Sequence, residues 1–336
     1  MKKNKRVLAG ILAGFLIVNL LTACEGDKIS SGVRLAHGEI KENSIVISVG
    51  DTGVKYSEVL GYCYLLKAQY EGNFGKKIWK YKLSDKNTIG DEAKEEIINM
   101  ITQLKIISAT AGEENVSLTN DERDEVLQRA EEVMNSATDA DKKKYHLSVQ
   151  GLSAIYEENA LANKMFYIST DAADTEVSEE EARQVKLEFI KILTKGVTKN
   201  GTVVSLNEKE MSAARERANR LRTEAVKAET FLDFAKENSE SETVEMTIGQ
   251  DNTELDRSVV TAAFSMKKGG ISPVIGTSDG YYILYCADDN DEDATYARRE
   301  EIIEERQTEM FKRKYKQWLG DCQVGISKSF WEIFEI

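Results

Sequence analysis

The sequence predicts an α+β fold that is mainly helical and contains a smaller mixed segment. Apolar residues recur at helical spacing from Asp91 to Ala111 and again from about 149 to 167. Between residues 185 and 288 the pattern changes to alternating, strand-like segments separated by helices. A last helix is predicted from Ala294 to Leu319. Helical runs on either side of a mixed segment are typical of an α+β protein.

The first 24 residues have the three-part layout of a secretory signal. The basic start contains Lys2, Lys3, Lys5 and Arg6. An almost wholly apolar run from Val7 to Leu21 follows, and small residues precede Cys24. This run is shorter than the ~20 apolar residues of a spanning helix, and polar residues follow it at once, which disfavours a permanent transmembrane anchor. Residues 1–23 are therefore predicted to be a signal peptide.

The end of this signal resembles the bacterial lipobox, whose cysteine takes a diacylglycerol before cleavage leaves it as the new N-terminus. The resemblance lies in Leu21–Thr22–Ala23–Cys24 and implies lipid attachment at Cys24, on the extracytoplasmic face of the cell membrane. At least two acyl chains would make this anchoring stable, because one chain alone binds a membrane only marginally. The alternative is an ordinary cleaved signal with a chance cysteine. Residues 24–43 lack apolar periodicity and are predicted to be a flexible tether.

Composition limits the classes of partner. The formal net charge is −13, and removal of residues 1–23, with four positive and no negative charges, would lower it to −17. Nucleic acid is disfavoured as a partner because phosphate binding needs a basic footprint. A hydrophobic content of 41% supports a real core, and the length favours two domains.

Cysteine and histidine are too sparse for most catalytic or metal sites. Beyond Cys24 the cysteines are Cys63, Cys286 and Cys322, at wide spacings that indicate neither a disulfide framework nor a zinc site. The two histidines, His37 and His146, offer little for a histidine base or a set of metal ligands. The acidic runs at 179–181 and 288–293 lack EF-hand spacing and are interpreted as solvated surface. Neither a metal site nor a cofactor is predicted.

The predicted N-terminal domain, residues 44–184, begins with a strand at Ile45–Val49 and a helix capped by Ser57. Ser178 and Glu181 fit a capping box near its end. Aromatic residues cluster early in this domain, at Tyr62, Tyr64, Tyr70, Phe74, Trp79 and Tyr81. Core packing is the favoured interpretation of these aromatics, with a cradle for unfolded apolar segments as the alternative.

Residues 185–288 are predicted to form a separate domain with a strand at each end. Val185–Phe189 and Tyr281–Cys286 are the predicted strands. The helices between them are expected at Leu206–Ala228, Phe231–Glu237 and Ala262–Phe264.

Three segments in this range resemble a parvulin-type peptidyl-prolyl isomerase domain, in the order found in that family. They are Phe231–Ser239, Ala262–Val274 and Gly280–Leu284. Val49–Ser57 is also similar to the strand-turn-helix opening of PrsA/SurA-type foldases. The resemblance implies that residues 44–184 and the C-terminal helix in 289–336 form one SurA-like chaperone domain around an inserted parvulin-like α/β domain. It also implies that unfolded or newly exported polypeptides are the partners.

The resemblance also assigns candidate site residues. Parvulins accelerate rotation about X-Pro bonds, against a barrier of ~18–20 kcal/mol for a peptide bond, without a cofactor. Two family histidines and an Asp or Cys fall on Lys191, Tyr282 and Ser241, which are the candidate catalytic positions. The family's proline pocket falls on Leu255, Val259 and Phe264. Lysine brings a positive charge and no acceptor to a position where the family has histidine.

These departures leave more than one function open. The predicted function is a membrane-anchored, extracytoplasmic foldase whose parvulin-like domain has weak or no isomerase activity, because function depends on the site and not on the fold. An active isomerase that uses Lys191, Ser241 and Tyr282 is the alternative. A lipid-anchored solute-binding protein is a further alternative, but residues 91–170 lack the strand-helix alternation that such a fold needs.

Overall fold

The computed structural model describes residues 33–84, 87–197, 203–320 and 322–335. The chain divides into two compact units, one running up to Ala172 and resuming at Thr308, and the other spanning Ala173–Gln307. The predicted α+β class is confirmed. The predicted signal peptide and Cys24 lie outside the described residues. Across the described stretches, no helix combines the length and apolar character needed to cross a membrane.

Helices and short antiparallel strands make up both units. The strands are β1 (Ile45–Val49), β2 (Thr52–Lys55), β3 (Val185–Leu193), β4 (Lys195–Val197), β5 (Val203–Ser205), β6 (Glu245–Ile248), β7 (Ile275–Gly276), β8 (Gly280–Asp288) and β9 (Val324–Ile326). The helices are α1 (Tyr56–Phe74), α2 (Ile89–Glu113), α3 (Asn120–Ser136), α4 (Asp139–Lys144), α5 (Val149–Thr170), α6 (Glu179–Ala182), α7 (Glu208–Ala225), α8 (Phe231–Asn238), α9 (Arg257–Ser265), α10 (Glu292–Leu319) and α11 (Lys328–Ile333). A 3₁₀ turn at Ile78–Lys80 lies between α1 and α2.

Side-chain caps set several helix starts. Thr88, Thr119 and Asn207 begin α2, α3 and α7 with complete capping boxes. At Ser178 only one half of the predicted box forms: its Oγ accepts a hydrogen bond from the Glu181 amide at 3.1 Å and starts the short α6. Helix α1 begins at Tyr56, one residue before the predicted cap. Backbone pairing from β2 directly into α1 explains this earlier start.

The first unit draws on both ends of the chain. Its sheet has the order β2-β1-β9, so the C-terminal strand pairs with the first strand described. The Ser327 amide donates to the Val46 carbonyl at 2.8 Å and continues that pairing into α11. Phe330 and Phe334 lie in the same apolar core as the buried stripe of α2. The predicted helical domain built from both chain ends is confirmed in this respect.

Part of the predicted tether is bound to the fold. The Ala36 amide donates to the Ile45 carbonyl at 2.8 Å, and the Ser327 hydroxyl donates to the Ala36 carbonyl at 2.6 Å. The Gly38 amide donates to Ser329 Oγ at 2.9 Å. These bonds hold the backbone around residue 36 against β1 and α11, so the predicted flexible segment 24–43 is restrained in its second half.

The second unit is organised by a four-stranded antiparallel sheet in the order β6-β3-β8-β7. One face of β3 and β8 packs against α9, and the other packs against α7 and α8. The sequence did not predict β6, because four residues with mixed polarity give no clear period of two. This unit contains all of the predicted domain 185–288 and extends beyond it at both ends. The assignment of a chaperone role to one part of the chain and a parvulin-like role to the other stays a prediction.

Candidate functional site

The central strand pair places two of the predicted catalytic residues opposite each other. Lys191 on β3 pairs in register with Tyr282 on β8. Residues directly opposite on antiparallel strands have Cβ atoms ~4.5–5.5 Å apart, so their side chains share one face of the sheet. Lys191 Nζ lies 5.1 Å from the centroid of the Tyr282 ring. The fold therefore brings these two positions together.

Asp279 completes a cluster with this pair. Its Oδ2 accepts a hydrogen bond from Lys191 Nζ at 2.6 Å and another from the Tyr282 hydroxyl at 3.3 Å. The Thr277 hydroxyl donates to Asp279 Oδ1 at 2.5 Å and accepts a bond from the Gly280 amide at 3.1 Å. Sequence analysis missed Asp279, although Thr-Ser-Asp-Gly just before a strand is a turn signal. We call Lys191, Asp279 and Tyr282 the sheet-edge cluster, because they lie at one end of the two central strands, beside the turn that precedes β8.

The charges of the sheet-edge cluster are fixed by mutual hydrogen bonding. Burial opposes the charge of Lys191, but bonds with Asp279 and Tyr282 outweigh it and raise the pKa of the ammonium group. Burial opposes the Asp279 charge as well, yet bonds from Lys191 and Thr277 lower the pKa of its carboxyl group. Burial raises the pKa of the Tyr282 phenol. Near neutral pH the cluster thus holds a cation, an anion and a neutral hydroxyl.

Ser241 is connected to this region through the backbone. The Lys191 amide donates to Ser239 Oγ at 3.0 Å, and the Ser241 amide donates to the same oxygen at 3.3 Å. The Ser241 hydroxyl makes no hydrogen bond with any residue that the structure describes. The side chains of Ser239 and Glu240 tie this loop to β3, since Glu240 Oε2 accepts a hydrogen bond from the Leu193 amide at 2.8 Å.

The three predicted pocket residues occupy different environments. Val259 is fully buried in the α9 face of the sheet and is a core residue. Leu255 and Phe264 are half-buried and pack against the cluster of side chains that contains Tyr282. Arg183 covers the Phe264 ring, with the guanidinium carbon 4.8 Å from its centroid. Leu255 and Phe264 are the predicted pocket residues that keep an accessible apolar surface near the sheet-edge cluster.

The described residues form neither a metal site nor a disulfide. Within the described residues, no group of three or more His, Cys, Asp or Glu side chains is placed to hold a metal ion. Cys63, Cys286 and Cys322 are unpaired thiols. Burial raises the pKa of the Cys63 thiol to about 12, which keeps it protonated and unreactive.

The second unit corresponds to a known domain family. Residues 197–297 match the family described as the PPIC-type PPIase domain. The recognition of a parvulin-type domain in this chain is thereby confirmed. The match includes Ser241, Asp279 and Tyr282 and begins after Lys191. No curated protein matches the chain.

Solved structures of foldases are similar to this chain at low identity. The foldase protein PrsA from Streptococcus pneumoniae str. Canada MDR_19A has 18% identity and a TM-score of 0.32, with 87% of this chain and 98% of that chain covered. PrsA from Bacillus subtilis has 13% identity and a TM-score of 0.26, with coverages of 86% and 97%. A structure from work on the SurA-like chaperones PEB4 and Cj1289 of Campylobacter jejuni has 10% identity and a TM-score of 0.31, with coverages of 85% and 100%.

Proposed function

We propose that this protein is a lipid-anchored, extracytoplasmic foldase that binds unfolded or newly exported polypeptides and whose parvulin-type domain has weak or no isomerase activity. The observation that carries the proposal on activity is the sheet-edge cluster, in which Lys191 and Tyr282 both bond to Asp279. The family resemblance assigns these two residues to the positions of the family's two histidines.

The chemistry of the cluster disfavours fast isomerisation. An ammonium group has three donors and no acceptor, and Lys191 directs one donor at a carboxylate. The Tyr282 hydroxyl donates to the same carboxylate, so both side chains already bond to a neighbouring residue. Polar groups that satisfy one another in this way have less to offer to a twisted prolyl amide, which gains from unoccupied donors already aimed at it.

Peptide binding is a separate property and needs less of the site. Leu255 and Phe264 provide half-buried apolar surface on the α9 side of the sheet. Such surface contacts an apolar client side chain without any polar catalytic group. A domain that binds peptide and isomerises it slowly is consistent with this combination.

The location of the foldase is proposed from the N-terminal segment. A lipid on Cys24 would hold the fold at the membrane through residues 24–32, since the backbone from about residue 36 is bound to the first unit. The solute-binding alternative receives little support, because the described sheets are antiparallel and that class needs repeated strand-helix alternation.

Two assays test the foldase and isomerase parts of the proposal separately. In a protease-coupled assay with a proline-containing peptide, we expect a rate close to the uncatalysed one; a rate clearly above background would establish the active isomerase alternative. In the second assay, stoichiometric amounts of the chain should suppress aggregation of a proline-poor unfolded client. Absence of suppression would argue against the chaperone function.

Lipid attachment is tested by metabolic labelling with a radioactive fatty acid. We expect label on the wild-type chain and none on a Cys24→Ser variant. A labelled Cys24→Ser variant, or an unlabelled wild-type chain, would reject Cys24 as the attachment site.

A further inference from the structure

A cationic and aromatic segment joins α1 to α2 in the first unit. Residues 74–83 read Phe-Gly-Lys-Lys-Ile-Trp-Lys-Tyr-Lys-Leu and contain no acidic residue. We call this segment the cationic loop. Its lysines are Lys76, Lys77, Lys80 and Lys82, all exposed and without an ion-pair partner in the described part of the chain. In a protein with a formal charge of −13, four unpaired positive charges in ten residues are a local reversal of sign.

Large apolar side chains are exposed in the same segment. Phe74, Tyr81 and Leu83 are 67%, 64% and 55% exposed. Scattered exposed apolar residues are ordinary, but a contiguous group marks an interaction surface. Lysines alternate with aromatic residues in this segment, whereas residues of a hydrophobic core are rarely interleaved with lysine.

The exposure does not come from a frayed backbone. Gly75, with φ of 77°, ends α1, and its amide donates to the Glu71 carbonyl at 2.9 Å. Trp79 stacks on Tyr70 with ring centroids 5.4 Å apart and donates through Nε1 to Glu71 Oε1 at 3.0 Å. The Ile89 amide donates to the Tyr81 carbonyl at 3.0 Å and closes the loop onto α2. The loop is thus held in a shape that presents its lysines and apolar tips to solvent.

Glu71, the acidic residue to which Trp79 donates, does not neutralise the loop. Glu71 is already paired with Lys67 at 3.3 Å and accepts the Trp79 bond. Beyond the loop, Asp85 and Lys86 offset each other in formal charge. The net positive charge of the cationic loop is therefore available to a partner.

We propose that the cationic loop docks on an anionic lipid surface, with its lysines at the headgroups and Phe74, Tyr81 and Leu83 at the boundary with the acyl chains. Basic residues near an anionic leaflet are attracted to its negative potential, and aromatic side chains favour the interface. Lysine stems also reach out of an apolar contact to place their charge in water. The combination of charge and apolar tips fits a membrane surface better than an unfolded polypeptide, which carries charges of both signs.

The length of the segment after Cys24 and the length of α1 together allow the loop to reach the membrane. This step rests on the proposed lipid anchor. Val33, where the described chain begins, is nine positions after Cys24, and this stretch spans at most ~30 Å when extended. Val33 lies beside Gly53, just before α1, and the loop follows the far end of that helix. The 19 residues of α1 cover ~28 Å. The segment from Cys24 to Val33 is therefore long enough for α1 to lie along the membrane, with the cationic loop in contact with the lipid surface.

Charge would also give the docked protein an orientation. The chain after Cys24 has a formal charge of −17 and is repelled as a whole by an anionic leaflet. A local positive loop is attracted, so the surface that carries it faces the membrane. A foldase held in this way presents a constant side to arriving polypeptides.

The test is partition of an unlipidated chain beginning at Glu25, which keeps every described residue, onto vesicles. Vesicles of phosphatidylcholine with about one third phosphatidylglycerol are compared with pure phosphatidylcholine by co-sedimentation at low salt. We expect at least ~10-fold stronger partition onto the anionic vesicles, and loss of this preference in about 1 M salt, where the Debye length is ~3 Å. Equal partition onto both vesicles would overturn the proposal.

A matched pair of variants locates the effect. Changing all four loop lysines to glutamine (Lys76→Gln, Lys77→Gln, Lys80→Gln and Lys82→Gln) should lower partition onto anionic vesicles at least ~10-fold. The control changes four scattered exposed lysines without ion pairs (Lys143→Gln, Lys209→Gln, Lys227→Gln and Lys328→Gln) and should keep most of the binding. Equal losses in both variants would show a general charge effect and overturn the assignment to the loop.

A different partner would give a different result. If the wild-type chain ignores anionic vesicles while the loop variant loses aggregation suppression, the loop binds clients and the lipid proposal is wrong. The vesicle assay uses no lipid on Cys24, so failure of the proposed anchor in fatty-acid labelling is distinguishable from failure of the loop to bind lipid.

Discussion

Lys191 Nζ lies 2.6 Å from Asp279 Oδ2, although the two residues are 88 positions apart in the chain. The contact joins the central strand β3 to the turn before β8, and Tyr282 bonds to the same carboxylate. In the second unit, the polar group at one end of the central strands is therefore an ion pair with a tyrosine bonded to it. Its properties can be tested one residue at a time.

Removing the anion should destabilise the second unit modestly. Asp279→Asn breaks the ion pair and leaves the Lys191 ammonium, whose side chain is 18% exposed, without its charged partner. Because Asp279 itself is 40% exposed, solvent screening limits the expected loss to about 1 kcal/mol in the free energy of unfolding. Urea denaturation measures it. Asp289→Asn, which breaks a pair with the highly exposed Lys267, should cost less than about 0.5 kcal/mol.

The same pair predicts a pH window. Asp279 has a lowered pKa in the fold, so its contribution to stability is present above the unfolded pKa of about 3.9 and is lost as pH falls through the folded value. Lys191 has a raised pKa, so its contribution is present below about 10.4 and is lost as pH rises through the folded value. The stability difference between wild type and Asp279→Asn should be constant from about pH 5 to 10 and shrink on either side. A difference that does not change with pH would contradict the ion-pair account.

Restoring the family's histidines should raise isomerase activity. In a Lys191→His/Tyr282→His double variant, side chains that both donate and accept hydrogen bonds occupy the two opposed positions. We expect the protease-coupled rate to rise at least ~10-fold, which corresponds to about 1.4 kcal/mol in the barrier. The control, Lys227→His/Tyr296→His, places two histidines at exposed positions and should leave the rate unchanged. An unchanged rate in the site variant would contradict the proposed role of Lys191 and Tyr282.

Periodic patterns predicted much of the fold, and contacts distant in sequence account for what they missed. The stripe in α2 was predictable because six of its isoleucine and leucine residues repeat at helical spacing and are buried. Strands β6 and β9 have four and three residues, too few to establish a period of two. Lys191 and Tyr282 came from a family resemblance, whereas Asp279 needed the fold, because nothing local in a turn carboxylate indicates a partner 88 residues away.

The aromatic residues from Tyr62 to Tyr81 also show that sequence alone does not predict which side chains are buried. Tyr62 is buried in the core, as the favoured interpretation expected. Phe74 and Tyr81 come from the same run of sequence but lie on the surface, on either side of Gly75, where α1 ends. Composition alone does not separate these two outcomes, since both depend on where the helix ends.

The pairing of the two chain ends predicts a large effect for one aromatic residue. Phe330 is fully buried, lies edge-on to Tyr56 with centroids 6.0 Å apart, and packs against Phe334 at 4.8 Å. Phe330→Ala should lower the free energy of unfolding of the first unit by about 3–5 kcal/mol through lost burial and a cavity. Trp331→Ala, at a 41% exposed neighbouring position, should cost less than about 1 kcal/mol. Similar losses in the two variants would argue against a core shared by both chain ends.

A half-buried charge cluster in the first unit gives the last prediction. Lys105, 10% exposed, pairs with Glu58 at 2.6 Å and also bonds to Glu158, which accepts a hydrogen bond from the Tyr62 hydroxyl at 3.0 Å. Burial opposes the Lys105 charge, but the two carboxylates outweigh it and raise the pKa of the ammonium group. Burial raises the pKa of Glu58 even with Lys105 in place. Lys105 is thus the cation that both carboxylates share.

Lys105→Met should therefore cost about 3 kcal/mol at neutral pH, the lower end of the range for breaking a buried ion pair, because it leaves two half-buried carboxylates facing each other. One carboxyl then has a folded pKa above its unfolded value, so the variant should regain stability as pH falls through that folded pKa, as more protons bind to the folded state. Adding Glu58→Gln to Lys105→Met removes the repulsion and should recover part of the loss at neutral pH. Urea denaturation of both variants between about pH 5 and 8 measures these effects. A single variant whose loss does not shrink at low pH would show that lost packing of the lysine stem, and not charge repulsion, is responsible.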